Sequence, residues 1–112
     1  MLDETTYLRL ADEAFARIEA GFEEVDPDVV DCERAGDVLT LTFASGKRCV
    51  VNTQRPVRQM WLAANARAWH FGWDEGARRW VDDKGSGDDL FGVLARIVRD
   101  LAPGVDIALG RD

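Results

Sequence analysis

The stretch VLTLTFASGK, residues 38–47, indicates the fold class because it joins a strand pattern to a turn. Apolar and polar residues alternate, so Leu39, Leu41 and Phe43 are expected on one face of a β-strand. The serine and glycine of the 44–47 segment are typical of a hairpin connection. Another strand-like run follows at once, and so short a connection predicts antiparallel pairing.

Short runs of the same kind continue on both sides of this hairpin, with turn residues between them. Arg55-Pro56 and Asp74-Glu75-Gly76 are two of these breaks. The pattern predicts an antiparallel meander of five to six strands. The predicted strands are Val29–Glu33, Val38–Phe43, Arg48–Thr53, Gln59–Ala63, Trp69–Trp73 and Arg79–Val81.

A first helix is predicted before the meander. From about Thr5 to Glu24, apolar residues recur at steps of three and four, which indicates an amphipathic helix. Thr5 or Thr6 is its expected N-cap, and Pro27 is expected to end any continuation.

A second helix is predicted after the meander. Asp88 or Asp89 can cap it, and apolar residues keep helical spacing over Leu90–Leu101 until the Pro103-Gly104 stop. The apolar tail 105–109 is expected to pack back on the domain. The order helix, strands, helix predicts an α+β two-layer sandwich with both helices on one face of the sheet. At 112 residues, we expect residues 1–112 to form a single domain.

The charge of the chain is concentrated at its beginning. Residues 1–33 carry eleven acids against Arg9 and Arg17, whereas the remaining residues carry ten acids and twelve bases. Such a local negative field attracts cations and basic surfaces and repels nucleic acid, so we expect no nucleic-acid binding.

Neither the N-terminus nor the two cysteines suggests export. The first residues are acidic and no apolar run is long enough to span a membrane, so we expect a cytoplasmic protein without a signal peptide or membrane segment. Cys32 and Cys49 lie in apolar runs without metal-ligand spacing. Both are expected to be reduced core residues.

One block of residues is specific enough to suggest a family. The block Asn52-x-Gln54-x-Pro56-x-x-Gln59-x-Trp61-Leu62-Ala63, followed by His70-Phe71 and Trp80, resembles the frataxin family. Within that family, the expected cytoplasmic setting without a targeting extension points to the bacterial, CyaY-type branch. The resemblance covers roughly residues 5–101. The chain departs from the family pattern at Arg67-Ala68, where bacterial members usually carry Gly-Gly. It also has Leu8 in place of a histidine and Ala20 in place of an acid.

The resemblance implies an α/β sandwich that binds Fe²⁺ and Fe³⁺ weakly through surface carboxylates. It also implies association with the cysteine desulfurase and the scaffold protein of iron–sulfur cluster assembly. Carboxylate oxygens suit hard cations, but durable iron sites generally add His or Cys ligands; the acidic region has no His, and its Cys32 is expected in the core. We therefore expect weak, exchangeable sites where other divalent cations can substitute. The predicted metal ligands are Asp12, Glu19, Glu23, Glu24, Asp26, Asp28, Asp31 and Glu33.

A second candidate surface lies on the predicted open face of the sheet. Strand alternation places one asparagine, two glutamines, a tryptophan and a histidine there, and an exposed Trp among amides is typical of a binding hot spot. Trp69, Trp73 and Trp80 are instead expected in the core and at its edge. The predicted partner-binding residues are Glu19, Glu23, Asp26, Asn52, Gln54, Gln59, Trp61 and His70.

The leading hypothesis is a binding protein that regulates iron–sulfur cluster assembly or supplies iron to it. A dedicated di-iron ferroxidase would use inward-facing Glu and Glu-x-x-His ligands on packed helices, and this chain has a single His, in a strand. Slow iron oxidation at surface carboxylates is one alternative, and a metal-independent acidic adaptor of the desulfurase is another. We expect a monomer and leave iron-dependent oligomers open.

Overall fold

The computed structural model describes residues 2–107 and 109. Within this part of the chain, an antiparallel sheet is flanked in sequence by two helices. The elements are α1 (Glu4–Gly21), β1 (Val30–Ala35), β2 (Val38–Phe43), β3 (Arg48–Gln54), a 3₁₀ turn (Arg55–Val57), β4 (Gln59–Ala64), β5 (Arg67–Asp74), β6 (Arg79–Asp82) and α2 (Leu90–Leu101).

The sheet is a meander whose strand order in space equals its order in sequence, β1 to β6. All neighbouring strands pair antiparallel, which confirms the predicted topology. Several strands extend one or two residues beyond the predicted bounds, and β3 reaches Gln54. The side chains of Leu39, Leu41 and Phe43 are buried, as their alternation predicted.

The turn between β4 and β5 consists of two residues with positive φ. Asn65 has a φ of 53° and Ala66 a φ of 61°. Arg67 and Ala68 belong to β5 rather than to the connection, and the Arg67 guanidinium lies 4.5 Å from the centre of the Trp69 ring. The departure from Gly-Gly is therefore accommodated in extended strand backbone, where side chains fit.

A two-layer sandwich results because both helices cover one face of the sheet, as predicted. Helix α1 buries Tyr7, Phe15 and Ile18 against the inward residues of the strands, and the apolar face of α2 joins the same core. Trp69 and Trp80 are buried and Trp73 is half-buried at the margin of this core, as expected.

The predicted ends of α1 are wrong at both termini. Asp3, not Thr5 or Thr6, is the N-cap: its carboxylate accepts the Thr6 N–H at 2.7 Å, which suits an anion at the positive end of a helix. The helix ends at Gly21, before Pro27 is reached, because glycine and the bulky Phe22, which turns into the core, end the helical run. Glu23 and Glu24 consequently lie in the following turn.

Helix α2 has its predicted bounds, with Asp89 at the N-cap position. Beyond it, Val105 and Ile107 pack partly against the core and Leu109 is buried, in agreement with the expected return of the tail; residue 108 lies outside the described part. Cys49 is a buried core thiol, as predicted, but Cys32 is only half-buried because β1 is an edge strand. In residues 2–107 and 109, no helix has the length and apolar character needed to cross a membrane.

Candidate functional site

The predicted acidic residues occupy three different parts of the structure. Asp12 and Glu19 lie on the exposed side of α1, and a second group follows the end of that helix. A third group lies on β1. We refer to the exposed acids beyond α1 as the acidic edge, which comprises Glu23, Glu24, Asp26, Asp28, Asp31 and Glu33.

Arg34 of β1 neutralises the helical pair. Its guanidinium lies 2.7 Å from a carboxylate oxygen of Asp12 and 3.7 Å from one of Glu19. The same guanidinium is 4.5 Å from the centre of the Phe15 ring, between the two acids along the helix. Asp12 and Glu19 therefore have a counter-ion within the protein. The sequence pattern did not reveal this contact because it depends on how β1 packs beside α1.

The acidic edge has two parts, the turn that follows α1 and the outward positions of β1. Asp31 and Glu33 alternate with the inward residues Val30 and Cys32, so their side chains project from the face that the helices leave open. The turn acids precede this strand, and the Asp26 carboxylate accepts the Asp28 N–H at 2.9 Å. Among the residues described here, no three His, Cys, Asp or Glu side chains converge closely enough to hold a metal ion. The predicted ligands thus form a broad negative surface rather than a preformed chelate.

The second predicted surface is continuous across the middle of the sheet. Asn52, Trp61 and His70 stand opposite one another on β3, β4 and β5, and Gln54 pairs with Gln59 in the neighbouring row. All five are half-buried, and they alternate with buried inward residues. The structure therefore brings these five residues together on the open face as predicted, whereas their role in binding stays a prediction.

The Trp61 ring is held by contacts on two sides. It stacks on the His70 imidazole with ring centres 4.0 Å apart and planes 13° apart. Its indole N–H donates to the Gln59 side-chain oxygen at 2.9 Å. On the opposite side of the sheet, the hydroxyl of the buried Tyr7 donates to the Gln59 carbonyl at 2.7 Å. Helix α1 and the open face are thus joined through Gln59.

Asp83 completes this arrangement, and sequence analysis missed it. Its carboxylate accepts the Gln59 amide at 3.1 Å and lies 3.9 Å from Nδ1 of His70. Its backbone N–H also donates to the His70 carbonyl at 2.9 Å. Asp83 follows β6 directly, in a polar loop whose composition resembles that of any solvated turn, so only the folded structure shows which strand it meets.

Comparison with known proteins gives a family for this architecture. Residues 1–103 match the model of the frataxin-like domain. The chain is a member of the frataxin family. It is 40% identical to the "Iron-sulfur cluster assembly protein CyaY" of Ralstonia nicotianae, covering 99% of this chain and 97% of that protein. It is also 40% identical to the CyaY protein of Azotobacter vinelandii, over 86% of each chain. The predicted bacterial, CyaY-type resemblance is confirmed.

Solved frataxin structures have the same fold. The frataxin from Psychromonas ingrahamii superimposes with a TM-score of 0.85 at 27% identity, covering 98% of this chain and 100% of the other. A trimeric frataxin from the yeast Saccharomyces cerevisiae, complexed with ferrous iron, superimposes with a TM-score of 0.70 at 28% identity, covering 83% and 85%. The present frataxin therefore shares the fold over nearly its whole length.

Proposed function

We propose that this frataxin acts in the cytoplasm in iron–sulfur cluster assembly. In this role it binds iron weakly at its carboxylates and docks on the cysteine desulfurase and its scaffold protein. The names of its CyaY relatives support the pathway, and the ferrous complex of the yeast frataxin supports iron as the metal. We propose that it works as a monomer.

The acidic edge is the observation that carries this proposal. Its six carboxylates are exposed, and none of them forms an ion pair with another residue of the described part, whereas Asp12 and Glu19 already share Arg34. Uncompensated charge of one sign on a surface is retained at a cost in stability and attracts cations or basic partners. We therefore assign cation binding mainly to the acidic edge rather than to Asp12 and Glu19 of α1.

The expected chemistry at the edge is weak and unselective. Carboxylates accept Fe²⁺ and Fe³⁺, but on an open surface an ion keeps most of its water ligands. A site of this kind exchanges its metal readily, which suits a protein that senses iron or passes it on. The same carboxylates can contact basic residues of the desulfurase, and that contact should weaken with salt.

An assay of desulfurase activity in the presence of scaffold protein, with and without Fe²⁺, tests the edge. The variant Glu23→Gln/Asp26→Asn/Asp31→Asn removes three edge charges without changing side-chain size. The matched control Glu4→Gln/Asp100→Asn/Asp106→Asn removes three exposed charges elsewhere. We expect the native chain and the control to change the rate in an iron-dependent way and the edge variant to lose that effect.

Two results would contradict this assignment. An edge variant as effective as the native chain would remove the edge from the site. An effect of the native chain that is equal with and without iron would favour the metal-independent adaptor.

The open face is the proposed docking surface for the scaffold–desulfurase complex. Trp61→Ala is expected to weaken binding by about thirtyfold, or roughly 2 kcal/mol, as for a tryptophan at the centre of an interface. Thr42→Ala, on the same face near β1, is the control and should bind normally. Calorimetric titration measures both affinities, and a thermal melt of each variant verifies folding. Unchanged affinity of the Trp61 variant would exclude it from the interface.

A further inference from the structure

The open face contains a charged residue that no strand pattern assigned to it. The Asp83 carboxylate lies near two residues of the open face at once, 3.1 Å from the Gln59 amide and 3.9 Å from the His70 imidazole. Gln59 in turn receives the Trp61 indole N–H, and His70 stacks on the Trp61 ring. Gln59 and His70, which both contact the Trp61 side chain, therefore lie beside the same carboxylate.

We infer that Asp83 is a positioning residue for Trp61, and this role rests on the proposed docking function of the open face. The Gln59 side-chain amide has one oxygen and one NH₂ group. When the NH₂ group donates to Asp83, the oxygen faces Trp61 and can accept its indole N–H. The carboxylate, which can only accept, thus sets which end of the amide Trp61 meets.

The second contact acts on the ring that supports Trp61. Asp83 lies beside Nδ1 of His70, and an ionised carboxylate can accept a proton but has none to donate, so it favours the neutral imidazole tautomer that carries its proton on Nδ1. The neighbours of His70 on β4, Gln59 and Trp61, carry no charge. Beyond β6, the residue that follows Asp83 in the chain is the basic Lys84.

The geometry has a consequence for binding. A tryptophan anchor whose indole is held before the partner arrives loses less freedom on association. Asp83 does not need to touch the partner to contribute in this way. Its side chain is about as exposed as that of His70, 36% against 35%, so its replacement is not expected to prevent folding.

The experiment uses the isotope-labelled full chain without partner and follows the indole N–H signal of Trp61 by two-dimensional NMR. Trp61→Phe identifies that signal among the four tryptophans. Asp83→Ala removes the acceptor, and Asp83→Asn restores an acceptor oxygen without the charge. Lys84→Ala tests whether any substitution in the same loop shifts the signal. Asp100→Ala, on α2, tests whether the loss of one negative charge elsewhere does so.

We expect Asp83→Ala to shift the Trp61 indole signal and to speed its hydrogen exchange, and Gln59→Ala to do the same. Asp83→Asn should retain most of the native shift, and both controls should be silent. Binding of the scaffold–desulfurase complex by Asp83→Ala should weaken about fivefold, equivalent to about 1 kcal/mol for one lost hydrogen bond.

An unchanged Trp61 signal in Asp83→Ala would overturn the positioning role. A shift in Asp83→Asn as large as in Asp83→Ala would overturn the hydrogen-bond relay through Gln59. Neither result depends on a partner. If Trp61→Ala leaves partner affinity unchanged, the proposed docking function fails instead, and the NMR result still decides the role of Asp83.

Discussion

At the scale of single residues, the turn between β4 and β5 contains a backbone conformation that its sequence does not favour. Ala66 has a φ of 61°, in the left-handed region where a Cβ is unfavourable. Ala66→Gly should raise the unfolding free energy by about 0.5–1 kcal/mol, because the strain exceeds the entropy that glycine costs. Urea denaturation measures the change.

The neighbouring Ala63→Gly is the matched control for this substitution. Ala63 is exposed in extended backbone of β4, where glycine only adds freedom to the unfolded chain. The unfolding free energy of the Ala63→Gly variant should therefore be lower than that of the native chain by roughly 0.5–1 kcal/mol. A decrease of similar size at both positions would contradict the turn geometry.

The buried thiol of Cys49 makes stability depend on alkaline pH. Burial raises the pKa of Cys49 from 9.0 to about 12. The folded state therefore keeps the proton that the unfolded state loses above pH 9, and the stabilisation present at lower pH disappears as the pH rises. Between pH 8 and 10, we expect this thiol to lower the unfolding free energy by about 1.4 kcal/mol.

Cys49→Ala identifies the contribution of that thiol. Denaturation at pH 8, 9 and 10 should show a shallower loss of stability in the variant than in the native chain. Half-burial raises the pKa of Cys32 to about 11 in the same direction, so part of the slope should persist. Identical slopes in the two proteins would show that Cys49 does not titrate on unfolding in this range.

At the scale of elements, Arg34 links β1 to α1. Its guanidinium pairs with Asp12 and lies over Phe15, and only 25% of its side chain is exposed. Arg34→Gln should lower the unfolding free energy by about 1 kcal/mol, the sum expected for a partly exposed ion pair and a cation–π contact. Thermal and chemical unfolding measure the loss.

Arg9→Gln, on helix α1, is the matched control for Arg34→Gln. Its pair with Glu13 is exposed on both sides and spans one helical turn, so it should contribute at most about 0.5 kcal/mol. A double-mutant cycle with Asp12→Asn then isolates the Arg34–Asp12 coupling. If Arg34→Gln lowers the unfolding free energy no more than Arg9→Gln does, the contact between β1 and α1 stabilises the fold no more than an exposed ion pair.

At the scale of the whole molecule, the uneven charge predicts a response to salt. The acids of the first 33 residues greatly outnumber the bases there, and the six carboxylates of the acidic edge lack counter-ions in the described structure. Raising the ionic strength from about 0.01 to 0.15 M shortens the Debye length from about 30 to about 8 Å. The melting temperature should therefore rise by a few degrees.

The edge variant Glu23→Gln/Asp26→Asn/Asp31→Asn should show a smaller rise, because less repulsion remains to be screened. Iron or calcium should raise the native melting temperature further through binding to the folded state. A melting temperature insensitive to salt and to both cations would contradict the assignment of cation binding to the acidic edge.

The sequence by itself determined most of the architecture. The alternation in Val38–Phe43 and the helical spacing in Leu90–Leu101 depend on which side chains are buried, and burial has the period of the local structure. The outward set around Trp61 followed from the same alternation. The ends of α1 were harder to predict, since Asp3 and Gly21 compete with neighbours of similar local preference.

Tertiary structure alone decided which charges meet. Arg34 reaches Asp12 across 22 positions of sequence, and Asp83 reaches Gln59 across 24. Neither pairing produces a periodic pattern in the sequence, because a single polar contact between distant segments requires no regular spacing of residues. Arg34 therefore partly neutralises the acids of α1, and the loop carboxylate of Asp83 accepts a hydrogen bond from Gln59 on the open face. Only the packing of the elements could establish these two contacts.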